Sequence, residues 1–355
     1  MSPQRTVLLV AHTGRPAAVH SARLVLDRLS AAGLAVRVLA TEAPDLRFPA
    51  ARKMPASAEA AAGAEMVIVI GGDGTLLRAA ELARPAGAAV LGVNLGHVGF
   101  LAEADPVDLS DTVDRVVARR YAVERRMTID VTVRQNGSVT AETWALNEAT
   151  VEKAARERML DMVTEVDGRP LSRWGCDGVV FATPTGSTAY AFSAGGPVVW
   201  PEVEALLLVP ISAHALFAGP MVVSPRSVLA AEVIGGSSAW PPEAAGDGRS
   251  EASGAVLWCD GRRKVDLPPG ARVEVRRGAR PVLLARLRGA GLAGAAQDGA
   301  AQDTAAQGGT EVGALFTDRL VAKFGLPVKG WRGQADAGRA VAAAGQREEG
   351  PSGDA

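Results

Sequence analysis

The chain has 355 residues, a formal net charge of −1, 40 glycines and 21 prolines, and is 48% hydrophobic but only 4% aromatic. That length suits two domains with ample apolar material for a core, and the near-neutral charge argues against disorder over the whole chain. The near-neutral balance gives no support for a generic nucleic-acid binder, which carries a basic excess, and two cysteines, Cys176 and Cys259, are too few for a disulfide scaffold and read as reduced thiols of a cytoplasmic protein.

Thr6–Ala11 is an apolar run of buried-strand length, and its core Thr6–Val10 is too short for a signal-peptide core. Arg15–Ala32 carries Ala18, Ala22, Val25, Leu26 and Leu29 at helical spacing and closes on Gly33. Leu34–Ala40 reads as a strand, Ala56–Ala64 as helix-compatible, and Met66–Ile70 as a strand ending in Gly71-Gly72. Thr75–Ala83 reads as helix, Ala89–Val93 as strand and Asp108–Arg119 as helix. Strands alternating with helices predict a Rossmann-like α/β domain with a parallel sheet, over about residues 1–120. Ligands in such sheets sit at the carboxyl ends of strands, which points to the loops after Ile70 and Val93.

From about Tyr121 the pattern becomes β-rich and sandwich-like, through residue 288. Thr128–Arg134, Val139–Leu146, Met162–Val166, Val179–Ala182, Val228–Ile234, Ala255–Cys259 and Val273–Arg276 read as strands, with hairpin turns at Asn136-Gly137 and Asp167-Gly168. The longest apolar stretch, 205–223, is broken by Pro210, His214 and Pro220, so no membrane span is expected. Residues 235–254 and 289–310 read as flexible insertions; the latter repeats Ala-Ala-Gln. Phe316–Phe324 reads as a helix within a segment, 311–332, expected to pack back on the first domain, and residues 333–355 as a disordered tail.

Four segments carry candidate chemistry. Gly71-Gly72-Asp73-Gly74-Thr75 joins a strand to a helix start, where glycines let backbone amides approach an anion. It matches neither a dinucleotide fingerprint nor a Walker loop. A carboxylate facing a phosphate repels it unless it binds a cation, accepts a proton or accepts a hydroxyl. Asp73 therefore suggests transfer to a hydroxyl group or Mg²⁺-assisted chemistry; the alternative is a tight turn with Asp73 as helix cap. Arg78 either reaches a phosphate or is a solvated charge. In Asn94–Leu101, His97 is a candidate base or a turn support. Asn147-Glu148 suits ribose hydroxyls, or is a turn. In Cys176–Pro197, Asp177 and the hydroxyl-rich turn before Tyr190 make a neutral cradle for a nucleotide, and the tyrosine ring can stack on a base. No zinc-like spacing and no Ser-His-Asp arrangement is evident.

In this order, Gly71–Thr75, Asn94–Gly99, Asn147-Glu148, Asp177–Pro197, Leu206–Leu216, Trp258–Gly261 and Phe316–Gly333 resemble the NAD kinase family, bacterial type. The resemblance covers most of residues 5–333; Thr183–Pro197 is its most specific part, whereas the Gly-Gly-Asp-Gly loop is shared with 6-phosphofructokinases and lipid kinases. It implies ATP-dependent phosphorylation of the adenosine-ribose 2′-hydroxyl of NAD, with an α/β domain, a β-rich domain and a site completed by homo-oligomerisation, as a dimer or tetramer. It implies Asp73 as proton acceptor or hydroxyl-orienting group, with Gly72, Gly74 and Arg78 bordering ribose and phosphate. Asn147 and Glu148 would take the ribose hydroxyls, Arg158 a basic contact, and Asp177 with Thr185, Gly186, Ser187, Thr188, Ala189 and Tyr190 the adenine and nicotinamide-side groups. Mg²⁺ would neutralise the triphosphate, with no protein ligand evident. Gly219 departs from the family, which often has arginine there. The rival readings are a lipid kinase sharing the Gly-Gly-Asp-Gly loop and a non-catalytic dinucleotide sensor.

Overall fold

The computed structural model describes residues 4–94, 99–101, 109–154, 159–214, 218–234, 254–287 and 311–326. Arg158, His97, the two insertions except Gly254, and the tail lie outside them. The main compact unit takes in residues 1–97 and 101–300, and a second groups Val98–Phe100 with residues 301–355.

The first part of the chain alternates as its sequence periods require. In order come β1 (Thr6–Ala11), α1 (Pro16–Ala31), β2 (Ala35–Leu39), α2 (Ala43–Leu46), β3 (Arg52–Met54), β4 (Met66–Ile70), α3 (Asp73–Ala86), β5 (Ala89–Val93), α4 (Leu109–Val117) and β6 (Tyr121–Arg126). Pro16 opens α1, where its missing N–H costs nothing. Gly87, at φ 66°, ends α3 in the left-handed region. The helix-compatible 56–64 stretch forms only one 3₁₀ turn, Ala58–Ala61.

The antiparallel part comprises β7 (Ile129–Gln135), β8 (Ser138–Ala145), β9 (Glu148–Lys153), β10 (Leu160–Val166), β11 (Arg169–Cys176), β12 (Gly178–Ala182), the short α5 (Tyr190–Ser193), β13 (Leu206–Ile211), β14 (Met221–Val223), β15 (Leu229–Val233), β16 (Ala255–Cys259), β17 (Arg263–Leu267) and β18 (Arg272–Arg277). β19 (Val282–Leu287) follows, and α6 (Glu311–Phe324) is the last element. Asn136-Gly137 and Asp167-Gly168 turn their hairpins with both residues at positive φ, as the sequence predicts.

Three sheets result. The first runs β3-β2-β1-β4-β5-β19-β6, parallel up to β19 and antiparallel at β6. Along β1 the side chains alternate between two cores: Val7 and Leu9 meet α1 and α4, while Leu8 and Val10 meet α3. The other two sheets, β11-β10-β15-β18-β7-β8 and β14-β13-β12-β9-β16-β17, are antiparallel and share one core. β12 supplies Val179 and Phe181 to that core and turns Val180 and Ala182 onto a second cluster with Ala191 of α5. Both faces being covered, its sequence is continuously apolar rather than alternating. The fold is thus an N-terminal α/β domain followed by a β-rich sandwich. Tyr121–Arg126 and Val282–Leu287, both beyond residue 120, pair into the first sheet, the latter in parallel beside β5.

In the second unit, the Phe100 ring lies 5.8 Å from Phe316 and 6.0 Å from Phe324, and Arg319 donates to the Phe100 carbonyl at 2.8 Å.

Candidate active site

β1 and β4 are parallel neighbours in register from Val7/Met66 to Ala11/Ile70, so their carboxyl ends lie together. There His12 N–H bonds to the Ile70 carbonyl at 3.0 Å and Gly71 N–H to Val93 at 3.0 Å. The Gly-Gly-Asp-Gly loop follows, and α3 begins at Asp73, two residues earlier than its apolar period suggests. A carboxylate in the first turn also suits the helix dipole, and the Leu101 N–H donates to Asp73 at 3.3 Å.

The loop glycines differ in what demands them. A Cβ on Gly71 would lie 2.7 Å from Thr75 Oγ1, so protein packing requires glycine there. A Cβ on Gly72 or Gly74 would meet no atom within 4 Å, and neither residue has a positive φ. Among the described residues nothing requires glycine at these two positions.

Arg78, farther along α3, ion-pairs through Nη2 with Glu42 and donates to the Ala11 carbonyl at 3.1 Å. Glu42 is buried and also accepts the Ala11 N–H at 2.8 Å. Burial pushes its carboxyl up, and the Ala11 and Arg78 bonds pull it part of the way back.

The Asn147 turn is brought to the same region by packing. Leu146, Leu101, Leu76 and Leu77 lie in one buried cluster. Arg84 of α3 and Arg263 of β17 both stack on Trp144, at 4.3 and 4.6 Å, and Glu81 of α3 binds Arg262 and Arg263 at 3.0 and 3.1 Å. The turn itself is held by Asp260, whose carboxylate accepts Leu146 N–H at 3.0 Å, Asn147 N–H at 2.7 Å and Arg263 Nη2 at 2.7 Å.

At this turn two adjacent buried acceptors, Asn147 Oδ1 and Glu148 Oε2, are without a hydrogen-bond partner among the described residues. Such orphans are costly unless a ligand or water completes them. Glu148 does accept the Tyr190 backbone N–H; burial, then the Asp260 charge, pushes its carboxyl up to about 8.

The hydroxyl-rich turn packs on this edge. Thr183 donates to the Leu146 carbonyl at 2.6 Å and accepts the Gly186 N–H at 3.1 Å. A Cβ on Gly186 would fall 2.0 Å from the Asn147 carbonyl oxygen, so only glycine permits this approach. Ser187 is fully buried, 2.7 Å from the Pro184 carbonyl, and accepts Val199 N–H at 2.9 Å; its hydroxyl is engaged inside the turn. Thr188 donates to Thr185 at 3.3 Å. Thr185 is buried and Ala189 is half-buried. Tyr190 is exposed, with its hydroxyl on Glu152; burial, then the Glu152 charge, raises its pKa. Asp177 is half-exposed, and Lys153 at 2.5 Å holds its carboxyl below the usual range.

Sequence reasoning assigned no role to Glu42, Glu152, Lys153 or Asp260. Only Asp260 carried a signal, an Asp-Gly turn in a segment of the resemblance, and nothing there says which turn its carboxylate holds. Among the described residues no group of three or more His, Cys, Asp or Glu side chains gathers as a metal site, and no helix is long and apolar enough to cross a membrane.

The ATP-NAD kinase N-terminal domain matches residues 7–121 and the ATP-NAD kinase C-terminal domain residues 146–287. The chain is 58% identical over 340 residues to the NAD kinase of Thermobifida fusca, covering 93% of this chain and 92% of that one. It is 58% identical over 331 residues to NAD kinase 2 of Streptomyces coelicolor, covering 93% and 97%. Among solved structures it shares the fold of yeast NADH kinase complexed with NADH, with a TM-score of 0.69 at 22% identity over 81% of this chain and 84% of that one. An NAD kinase from Archaeoglobus fulgidus in complex with ATP matches with a TM-score of 0.57 at 25% identity, over 80% and 94%. With both domain families matched in order and curated relatives aligned over nearly the whole length, the chain belongs to the ATP-NAD kinase family.

Proposed function

We propose that the chain transfers the γ-phosphoryl group of ATP to the 2′-hydroxyl of the adenosine ribose of NAD, giving NADP. The observation that carries this reading is the pair of adjacent buried acceptors, Asn147 Oδ1 and Glu148 Oε2, which the described residues leave unpartnered. The 3′-hydroxyl of the ribose donates to one of them, and the 2′-hydroxyl donates to the other until its single proton turns to Asp73 for the reaction. Asp73 takes the proton of the attacking hydroxyl as the O2′–phosphorus bond forms and the bond to the ADP oxygen breaks. Gly72 and Gly74 leave room for the substrate beside that carboxylate, and Arg78 contributes a guanidinium to a phosphate.

Asp177 and Tyr190 border the adenine and nicotinamide-side groups together with Thr185, Thr188 and Ala189, while Ser187 shapes the turn from within. Arg158 adds a basic contact. Mg²⁺ is assigned to the triphosphate it accompanies, whose charge it neutralises. The enzyme works in the cytoplasm as a homo-oligomer.

The test is NADP formation by the purified chain with NAD and Mg·ATP. Asp73→Asn is expected to retain NAD binding and to lower turnover by about 10²–10⁴-fold, the usual contribution of a positioned proton acceptor. Near wild-type turnover in that variant would remove Asp73 from the chemistry.

A further inference from the structure

We propose that Glu42 is a positioning residue of this reaction: it pins one edge of the Arg78 guanidinium, so that the opposite edge faces a phosphate of the bound nucleotide. The inference rests on the kinase reading above.

Glu42 lies just before α2, and its side chain is only 3% exposed. One carboxylate oxygen accepts the Ala11 N–H at 2.8 Å, and the other accepts Arg78 Nη2. The same Nη2 donates to the Ala11 carbonyl. Among the described residues the polar contacts of Arg78 therefore fall on a single nitrogen, at the carboxyl end of β1. Among the described residues nothing takes Nε or Nη1, and the side chain is 32% exposed.

Direction follows from the helix. Side chains on α3 lean toward its N-terminus, where Gly72, Asp73 and Gly74 stand. Ala11 is paired with Ile70, the residue before Gly71. The anchored edge of Arg78 is thus beside the loop that receives the substrate.

Stability does not account for this arrangement. Desolvating a carboxylate and a guanidinium is offset only partly by their attraction, and apolar replacements of such pairs are often as stable. Orientation does account for it. A guanidinium held on one nitrogen has its plane set, and a planar fork recognises phosphate through its remaining N–H groups.

The test is Glu42→Gln. The amide is nearly isosteric but replaces one of the two accepting oxygens by an NH2 group, which in the same place would face the Ala11 N–H or the Arg78 guanidinium donor to donor, and it removes the charge. Release of the guanidinium is expected to raise KM for one nucleotide about tenfold, with kcat within about twofold, the size of a lost contact to a charged group. Whether KM rises for NAD or for ATP identifies whose phosphate Arg78 holds. In an Arg78→Ala background the same substitution is expected to change kcat/KM by less than about twofold, because Glu42 acts through Arg78.

Arg78→Lys gives a second reading that does not depend on how Glu42→Gln folds. It keeps the charge against Glu42 but has no second edge to present, and KM is expected to rise about fivefold or more. Unchanged KM for both nucleotides in folded Glu42→Gln or in Arg78→Lys overturns the inference, as do independent, multiplicative losses in the double variant. Those outcomes leave NADP formation by the wild type intact. Absence of NADP formation by the wild type instead overturns the kinase reading, and this inference with it.

Discussion

Replacing Gly74 by alanine should stabilise the empty protein and impair its reaction at the same time. Gly74 is the second residue of α3, is exposed, and a Cβ there meets no atom within 4 Å. Alanine is favoured over glycine in a helix by about 0.5–1 kcal/mol. In a protein of this size that raises the thermal midpoint by roughly 1 °C. The opposite holds for the bound state. If the substrate lies against the backbone here, a methyl group intrudes into the contact, and overpacking of this kind costs about 1–3 kcal/mol. That corresponds to roughly a 5- to 150-fold fall in kcat/KM. Calorimetry on the ligand-free variant and steady-state NADP formation measure the two effects separately. A lower midpoint together with an unchanged kcat/KM would refute the argument, because the glycine would then serve the turn and not the ligand. Gly71→Ala is the internal control: its Cβ would sit 2.7 Å from Thr75 Oγ1, so it should destabilise even the empty protein.

Asp260→Asn removes a charge that holds two backbone amides and Arg263. It should cost about 3 kcal/mol and lower the midpoint by roughly 4 °C, and it should raise KM for NAD as the Asn147 turn loosens; wild-type melting in this variant would show that Asp260 does not hold the turn. Glu148 has a carboxyl pushed up to about 8 by burial and by the Asp260 charge. Its folded pKa lies above its unfolded one, so its contribution to stability is present at low pH and is lost as pH rises through about 8. Chemical denaturation of the empty protein across that range should show this loss, and Glu148→Gln should abolish it. Ribose hydroxyls donate to the ionised form, so KM for NAD should fall as pH rises toward about 8; a KM that rises instead would contradict hydroxyl binding by Glu148.

Much of this was legible along the chain because it is local. Ala89–Val93 and Ala255–Cys259 form strands over the very residues their apolar runs mark, and the Asn136-Gly137 and Asp167-Gly168 turns follow from which residues tolerate positive φ. The Gly-Gly-Asp-Gly loop marks a strand-to-helix junction along the chain, and the structure starts α3 at its Asp73. The membership in a kinase family was likewise carried by short motifs in a fixed order.

Tertiary structure decided what depends on distant partners. Glu148–Lys153 carries three charges in six residues and becomes a strand because β12 and β16 flank it. Val282–Leu287 joins a sheet whose parallel neighbour, β5, lies nearly two hundred residues earlier, a pairing set by long-range burial and not by any local period. The site shows the same division. Which hydroxyls face outward and which are used up, as in Ser187, depends on who approaches them. That Asp260 holds the Asn147 turn, that Glu42 claims one nitrogen of Arg78, and that Asn147 and Glu148 are left with open acceptors are all consequences of packing. Hydrogen bonds in a buried site are shared among groups far apart in sequence, so only the folded chain reveals which acceptors remain for a substrate.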